Sequence, residues 1–199
     1  MSRIATDVVL LPDEATMDRA IEINKELIRR YRPEIVLNKR TCLPHISLAM
    51  GCVEQEEIEA IGSVLERVAS EQPVADLRIV GLETAGDASD IGTSLLVVER
   101  TEPLQELHET VMREMKPFFT HDVADAMIHD DLVAGSTLEW IRNYPEKASY
   151  EAFRPHITLG YGRVEGEMDF PMPVDVARLA ICHLGNHCTC RKVLASVSL

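Results

Sequence analysis

Two short stretches of the chain carry the residue types of proton-transfer chemistry at matching spacing. They are Pro44-His45-Ile46-Ser47-Leu48 and Pro155-His156-Ile157-Thr158-Leu159. On an extended strand, residues i and i+2 share one face while i+1 and i+3 share the other. Ile46 and Leu48 can therefore enter a core while His45 and Ser47 point together into a groove. The second stretch does the same with His156 and Thr158. Two such strands related by pseudo-symmetry would set two imidazoles and two hydroxyls across one cleft.

That set suits phosphodiester chemistry without a metal or other cofactor. Attack at phosphorus needs a base to take a proton from water and an acid to protonate the departing oxygen. An imidazole with an ordinary pKa near 6.5 can serve in either role. Serine and threonine hydroxyls can donate to the non-bridging oxygens, over which transition-state charge is spread. One such tetrad can arise by chance in a chain of this length. A second, also preceded by proline and placed alike in a matching half, is far harder to obtain that way.

The elements needed to position these residues are legible around them. Val8 to Leu11 reads as a buried strand, and Asp13 to Tyr31 repeats apolar residues at helical spacing until Arg32-Pro33 ends it. A strand over 43–50 and an amphipathic helix from Glu54 to Ala69 follow, then a strand at Leu77 to Leu82 and a turn at Gly86-Asp87. The order then recurs. A strand at 94–99 leads to a helix capped by Thr101 and stopped by Pro117, and the second tetrad lies beyond. The halves form a duplicated pair. The second connection is too long for a bare loop, so the insert at 118–153 is expected to carry helix. The chain closes with a hairpin expected around Gly185-Asn186. The fold class is α+β: two pseudo-two-fold lobes within a single domain over 1–199, with antiparallel sheets lining a central cleft and helices outside.

Composition limits the partners. With 20 Lys+Arg against 33 Asp+Glu, the net charge is -13, so the chain as a whole would repel a long polyanion. A nucleic-acid coat protein and a binder of long duplexes are excluded. A small or end-bound anion held by a local basic cluster is not. The sequence has no apolar run of bilayer length and no secretory layout at its start, and its five cysteines fit reduced thiols. The expectation is a soluble, cytoplasmic monomer that does not engage a membrane.

The pair PHISLA and PHITLG resembles the signature of the 2H phosphoesterase superfamily, and within it the chain is similar to RNA 2',3'-cyclic phosphodiesterases, also called 2'-5' RNA ligases. The resemblance runs from DVVLLPD to the final strands. It implies a bilobal fold, no metal or cofactor, and hydrolysis of a 2',3'-cyclic phosphate on an RNA end or small nucleotide. It implies His45 as proton donor to the leaving 3' oxygen, His156 as base on water, and Ser47 and Thr158 as phosphate holders. RNA 2'-5' ligation, hydrolysis of another cyclic phosphate, and a binding module without turnover are the alternatives. In relatives an arginine often follows the second motif closely. Here Gly160-Tyr161-Gly162 precedes Arg163, so Tyr161 can line the cleft in its place.

Other candidates are weaker. Arg29, Arg30, Arg32, Lys39 and Arg40 form a basic cluster that could hold a phosphate or cap a solvated helix end. Arg154 stands beside the second motif. His121, Asp125 and His129-Asp130 fall at helical spacing, which reads as a polar helix face or, less well, a metal-binding one. Cys182, His183, His187, Cys188 and Cys190 crowd the closing hairpin, where a two-residue turn would set His183 opposite Cys188, with Cys190 on the same face. Partly buried thiols are the favoured reading there, with zinc as the alternative. Trp140, Tyr144 and Tyr150 could stack on a base or anchor the insert.

Overall fold

The computed structural model of the chain describes residues 2–74, 76–86, 91–130 and 132–199. Among those residues there are eight strands and four α-helices. β1 (Arg3–Pro12), α1 (Glu14–Arg30) and β2 (Ile46–Glu54) open the chain. α2 (Ile58–Glu71), β3 (Leu77–Ala85), β4 (Thr93–Val98) and α3 (Glu102–Met115) follow. α4 (Gly135–Lys147) is the helix expected in the long connection, and β5 (His156–Tyr161) carries the second motif. β6 (Met172–Val174), β7 (Val176–Leu184) and β8 (Cys190–Ser198) complete the chain. Asp87 of the expected turn lies outside the described residues. Among those residues no helix is long and apolar enough to cross a membrane.

Local chemistry sets the helix ends as the sequence suggests. The Asp13 carboxylate accepts from the Thr16 and Ala15 amides and caps α1, while the Thr101 hydroxyl accepts from Leu104 N and caps α3. Pro103 sits in the first turn of α3, where its missing N–H costs nothing.

All strands form one antiparallel sheet in the order β6-β3-β4-β5-β2-β1-β7-β8. The two motif strands meet at its centre through a single register pair, Ile46 with Ile157. On either side of that seam the pattern repeats. In β1–β2 the register slips between Val8 and Val9, which pair with Ala49 and Ser47. In β4–β5 it slips between Ser94 and Leu95, which pair with Gly160 and Thr158. Each motif strand thus carries one extra residue, Leu48 or Leu159, and such a bulge bends the strand and re-aims its side chains.

A buried polar side chain holds each bulge. Asn24 of α1 donates to Leu159 O (2.7 Å) and Ile35 O (2.8 Å) and accepts from Leu37 N (2.9 Å). His108 of α3 donates from Nδ1 to Leu48 O (2.7 Å), accepts Tyr150 N at Nε2 (2.8 Å) and stacks on Phe153. α1, from the first half, therefore braces the motif strand of the second, and α3 braces that of the first.

Candidate active site

Each motif histidine is locked by the residue two positions before it. His45 Nδ1 donates to Leu43 O and His156 Nδ1 donates to Arg154 O, both at 2.7 Å. The prolines between explain the geometry, because a residue preceding proline is held extended. Leu43 and Arg154 are so held, and their carbonyls turn to the imidazoles. With the proton fixed on Nδ1, each ring keeps the Nε2 lone pair as its acceptor. His45, Ser47, His156 and Thr158 all line one cavity of about 470 Å³.

The electrostatics of the two rings run in one direction. Burial lowers the His45 pKa to about 4; the Leu43 carbonyl opposes the shift and charge on His156 adds to it. Burial also lowers His156, offset by the Arg154 carbonyl. Both imidazoles are therefore neutral proton acceptors at rest near pH 7.

The hydroxyls are not equivalent. Ser47 Oγ donates to Asp7 Oδ2 at 2.6 Å, whereas no described residue hydrogen-bonds the Thr158 hydroxyl. Asp7 is fully buried on β1, its Oδ1 has no partner among the described residues, and its Oδ2 lies 3.8 Å from His45 Nε2. Burial holds this carboxyl well above the usual range, against the pull of the Ser47 hydrogen bond. Sequence reading passed over Asp7. The signal was present: a carboxylate inside Ala5-Thr6-Asp7-Val8-Val9-Leu10, a run buried on both faces.

The sequence profile of the 2'-5' RNA ligase superfamily matches residues 24–173, three-quarters of the chain and both motifs. The chain belongs to the 2'-5' RNA ligase superfamily. Among solved structures, it is similar to E. coli LigT complexed with 3'-AMP at 16% identity and TM-score 0.48, covering 100% of this chain and 99% of that one. E. coli LigT complexed with phosphate and a crystal structure of a phosphoesterase each match at 14% identity and TM-score 0.46, with the same coverage. No curated protein sequence matches.

In this member of the 2'-5' RNA ligase superfamily the other expected residues divide into two groups. Tyr161 and Arg154 line the cavity. The Tyr161 hydroxyl shares a hydrogen bond with His187 Nδ1 (2.8 Å), and Arg154 Nη2 meets Glu83 Oε2 (2.9 Å) at the rim. Arg163 and Arg40 do not line it. Arg163 borders a separate cavity of about 240 Å³ beside Arg30 and Glu165, because positive-φ Gly162 turns the chain over the Tyr31 ring. The basic cluster ahead of the first motif is likewise outside the cleft: Arg29 pairs with Glu26, Arg30 with Glu165, and Lys39 with Asp18. Of the cluster, only Arg29 and Arg30 stand in the last turn of α1.

Two further expectations are corrected. Residues 121–130 present no helical face; they form a loop with one short 3-10 turn at Asp125–Met127. His121 bonds Met50 O and Asp130 receives Arg191, so these side chains are already engaged. The closing hairpin is joined by residues 185–189, not by two. His187 and Cys188 there take positive φ, Leu184 pairs with Cys190, and His183 pairs with Lys192. His183 therefore does not face Cys188; its Nε2 bonds Met127 O. All five cysteines are free.

The insert contributes more to the cleft than its sequence suggested. Trp140, Tyr144 and Lys147 of α4 line the cavity. Tyr144 is buried and anchors the helix, while Trp140 keeps 41% of its surface exposed.

Proposed function

We propose that the protein is a metal-independent phosphoesterase that opens a 2',3'-cyclic phosphate on an RNA end or small nucleotide to a 2'-phosphate. The observation that carries this reading is the matched pair of imidazoles. Both are fixed through Nδ1 by an i−2 carbonyl, and both residues line one cavity. A cavity of about 470 Å³ has the size of a small-ligand site. The net charge of -13 fits a substrate bound by its end.

In the proposed reaction His156 Nε2 accepts a proton from water as the water oxygen bonds to phosphorus. The bond from phosphorus to the 3' oxygen breaks, and protonated His45 gives its Nε2 proton to that oxygen. One proton is taken and one given, so the pair ends with its roles exchanged and resets through solvent. His45 must carry its proton while substrate is bound. Its empty-site pKa of about 4 is raised by the negative charge of the incoming phosphate. Thr158, with a hydroxyl uncommitted among the described residues, donates to a non-bridging oxygen, and Arg154 and Lys147, paired at rest with Glu83 and Glu139, bring cationic groups to the cavity wall.

The test is an assay of EDTA-treated protein against 2',3'-cyclic nucleotides and cyclic-phosphate-ended oligonucleotides, with products resolved by chromatography. Full activity in EDTA, lost in His45→Ala and in His156→Ala, supports the reading. A 2'-5' joined product from 5'-hydroxyl ends would replace hydrolysis by ligation. Binding without product would replace both by a binding module.

A further inference from the structure

We propose that Asp7, His45 and Cys190 form a binding site for Zn²⁺, and that its occupancy shuts the cleft down. One donor atom from each of the three lies within 4.8 Å of the other two, and this is the only such group among the described residues. Tetrahedral zinc with bonds of about 2.0–2.3 Å spaces its ligands by roughly 3.3–3.8 Å. For a nitrogen–oxygen pair, with bonds of about 2.0–2.2 Å, the spacing is roughly 3.3–3.5 Å, so the 3.8 Å between His45 Nε2 and Asp7 Oδ2 closes by a few tenths of an ångström when the ion binds.

Each donor is prepared in a different way. The Leu43 carbonyl holds the proton on His45 Nδ1, which leaves the Nε2 lone pair available and fixes the ring as an outer-shell partner does for a metal-bound histidine. Asp7 is fully buried with Oδ1 unpartnered among the described residues, and an orphaned buried acceptor of this kind is satisfied by a proton or a cation. Ser47 orients the same carboxyl through Oδ2. Cys190 is buried and in no disulfide, its thiol hydrogen-bonded with that of Cys182, and its backbone carbonyl accepts from Leu43 N at 3.0 Å. That bridge draws β8 against the segment carrying His45.

The chemistry of the set selects the ion. One nitrogen, one carboxylate oxygen and one sulfur suit zinc, whereas calcium and magnesium require oxygen ligands. Three protein ligands leave the fourth position open. Binding releases the thiol proton of Cys190 and the carboxyl proton of Asp7 to solvent, so the metal enters as a cation and no redox partner is needed. The His45 Nε2 lone pair is then committed and can carry no proton to a leaving group. The ion is an inhibitor here, not a cofactor. The inhibition rests on the proposed function; the binding does not.

The experiment separates the two. Metal-free protein is titrated with Co²⁺ as a spectroscopic stand-in. The expected result is one equivalent bound with a thiolate-to-cobalt charge-transfer band, displaced by Zn²⁺ and absent in Cys190→Ala. Persistence of the band in that variant, or no band in the parent protein, overturns the site. X-ray absorption at the zinc edge of the unmutated protein gives a check that needs no variant. One sulfur at about 2.3 Å with nitrogen and oxygen at about 2.0 Å supports the site, and no sulfur overturns it. In the hydrolysis assay Zn²⁺ should inhibit and EDTA should restore. Cys190→Ala should match the parent without metal and need at least tenfold more zinc for inhibition. Equal zinc sensitivity in the two proteins overturns the switch. A cobalt band without hydrolysis of any cyclic phosphate would leave the metal site standing and remove the proposed function.

Discussion

Asn24 and His108 do the same work from opposite halves of the chain: each donates to the carbonyl of the bulged residue of a motif strand, Leu159 and Leu48 respectively. Both are buried, and each satisfies two or more backbone groups. Truncating either leaves buried backbone polar groups unpaired at about 1–3 kcal/mol each. His108→Phe keeps the stacking on Phe153 and should still destabilise the fold by about 2–4 kcal/mol in urea melts. Burial lowers the His108 pKa below 6.5, so the unfolded chain binds the extra proton as pH falls. The contribution of His108 is therefore present above that value and is lost in acid. The cost of His108→Phe should accordingly be larger at about pH 8 than at about pH 5. A pH-independent difference would refute this role.

The commitment of Ser47 to Asp7 predicts that the two motif hydroxyls contribute unequally. Thr158→Val removes a donor with no other described partner and should lower kcat by about a hundredfold. Ser47→Ala removes a hydroxyl whose proton is held by a carboxyl 2.6 Å away, and should lower kcat by less than about tenfold. Single-turnover rates on one cyclic nucleotide decide between these. Equal losses would mean that Ser47 turns from Asp7 to the phosphate when substrate binds.

What the sequence disclosed followed from periodicity and repetition. Helical spacing located α1, α2 and α3, and the repeated Pro-His tetrads located two strands whose histidines share one cavity, but not their pairing at the centre of one sheet. Alternation along those tetrads placed Ile46 and Ile157 in the core and both histidines in the cleft. What stayed hidden depends on contacts between segments distant in sequence. His108 lies on the buried stripe of α3 beside Leu104, Leu107 and Val111, where only the Leu48 carbonyl reveals its purpose. Asp7 becomes chemically interesting only once Ser47, His45 and Cys190 surround it. Arg163 and Arg40 looked close to the motifs in sequence. Gly162 turns one away, and Arg40 stands in an exposed turn whose amide bonds the Asn38 side chain.

The low pKa of His45 makes ligand binding a proton-uptake reaction. In the free cleft the ring is neutral above about pH 4. An anionic phosphate favours the imidazolium, so the complex takes up a proton between that value and the raised one. The sign is fixed: affinity should weaken as pH rises through this window, by up to about tenfold per unit. Calorimetry of His156→Ala with adenosine 2',3'-cyclic phosphate avoids turnover and uses a ligand that does not titrate near neutrality. In buffers of different ionisation enthalpy it should show close to one proton taken up at about pH 6.5. Adding His45→Ala should abolish the uptake. If the double variant takes up the same proton, His45 is not the group that charges.

Trp140 is the chain's one tryptophan, and it stands half-exposed in the cavity wall while its helix is anchored by buried Tyr144. An indole in that position offers a face to a base, and such stacking contributes about 1–3 kcal/mol. Trp140→Ala should therefore raise KM for a nucleoside 2',3'-cyclic phosphate by roughly 5- to 160-fold. The same variant should leave turnover of ribose 2',3'-cyclic phosphate, which has no base, unchanged within about twofold, because neither histidine touches the indole in the hydrogen-bond network. Intrinsic fluorescence provides the direct reading, since no other tryptophan contributes to it. The nucleotide should quench the emission and the ribose analogue should not. Quenching by both would show that the cavity closes around the phosphate alone, with α4 moving and no base contact. Equal kinetic losses on the two substrates would assign Trp140 to the packing of α4 and leave the base without a platform in this cleft.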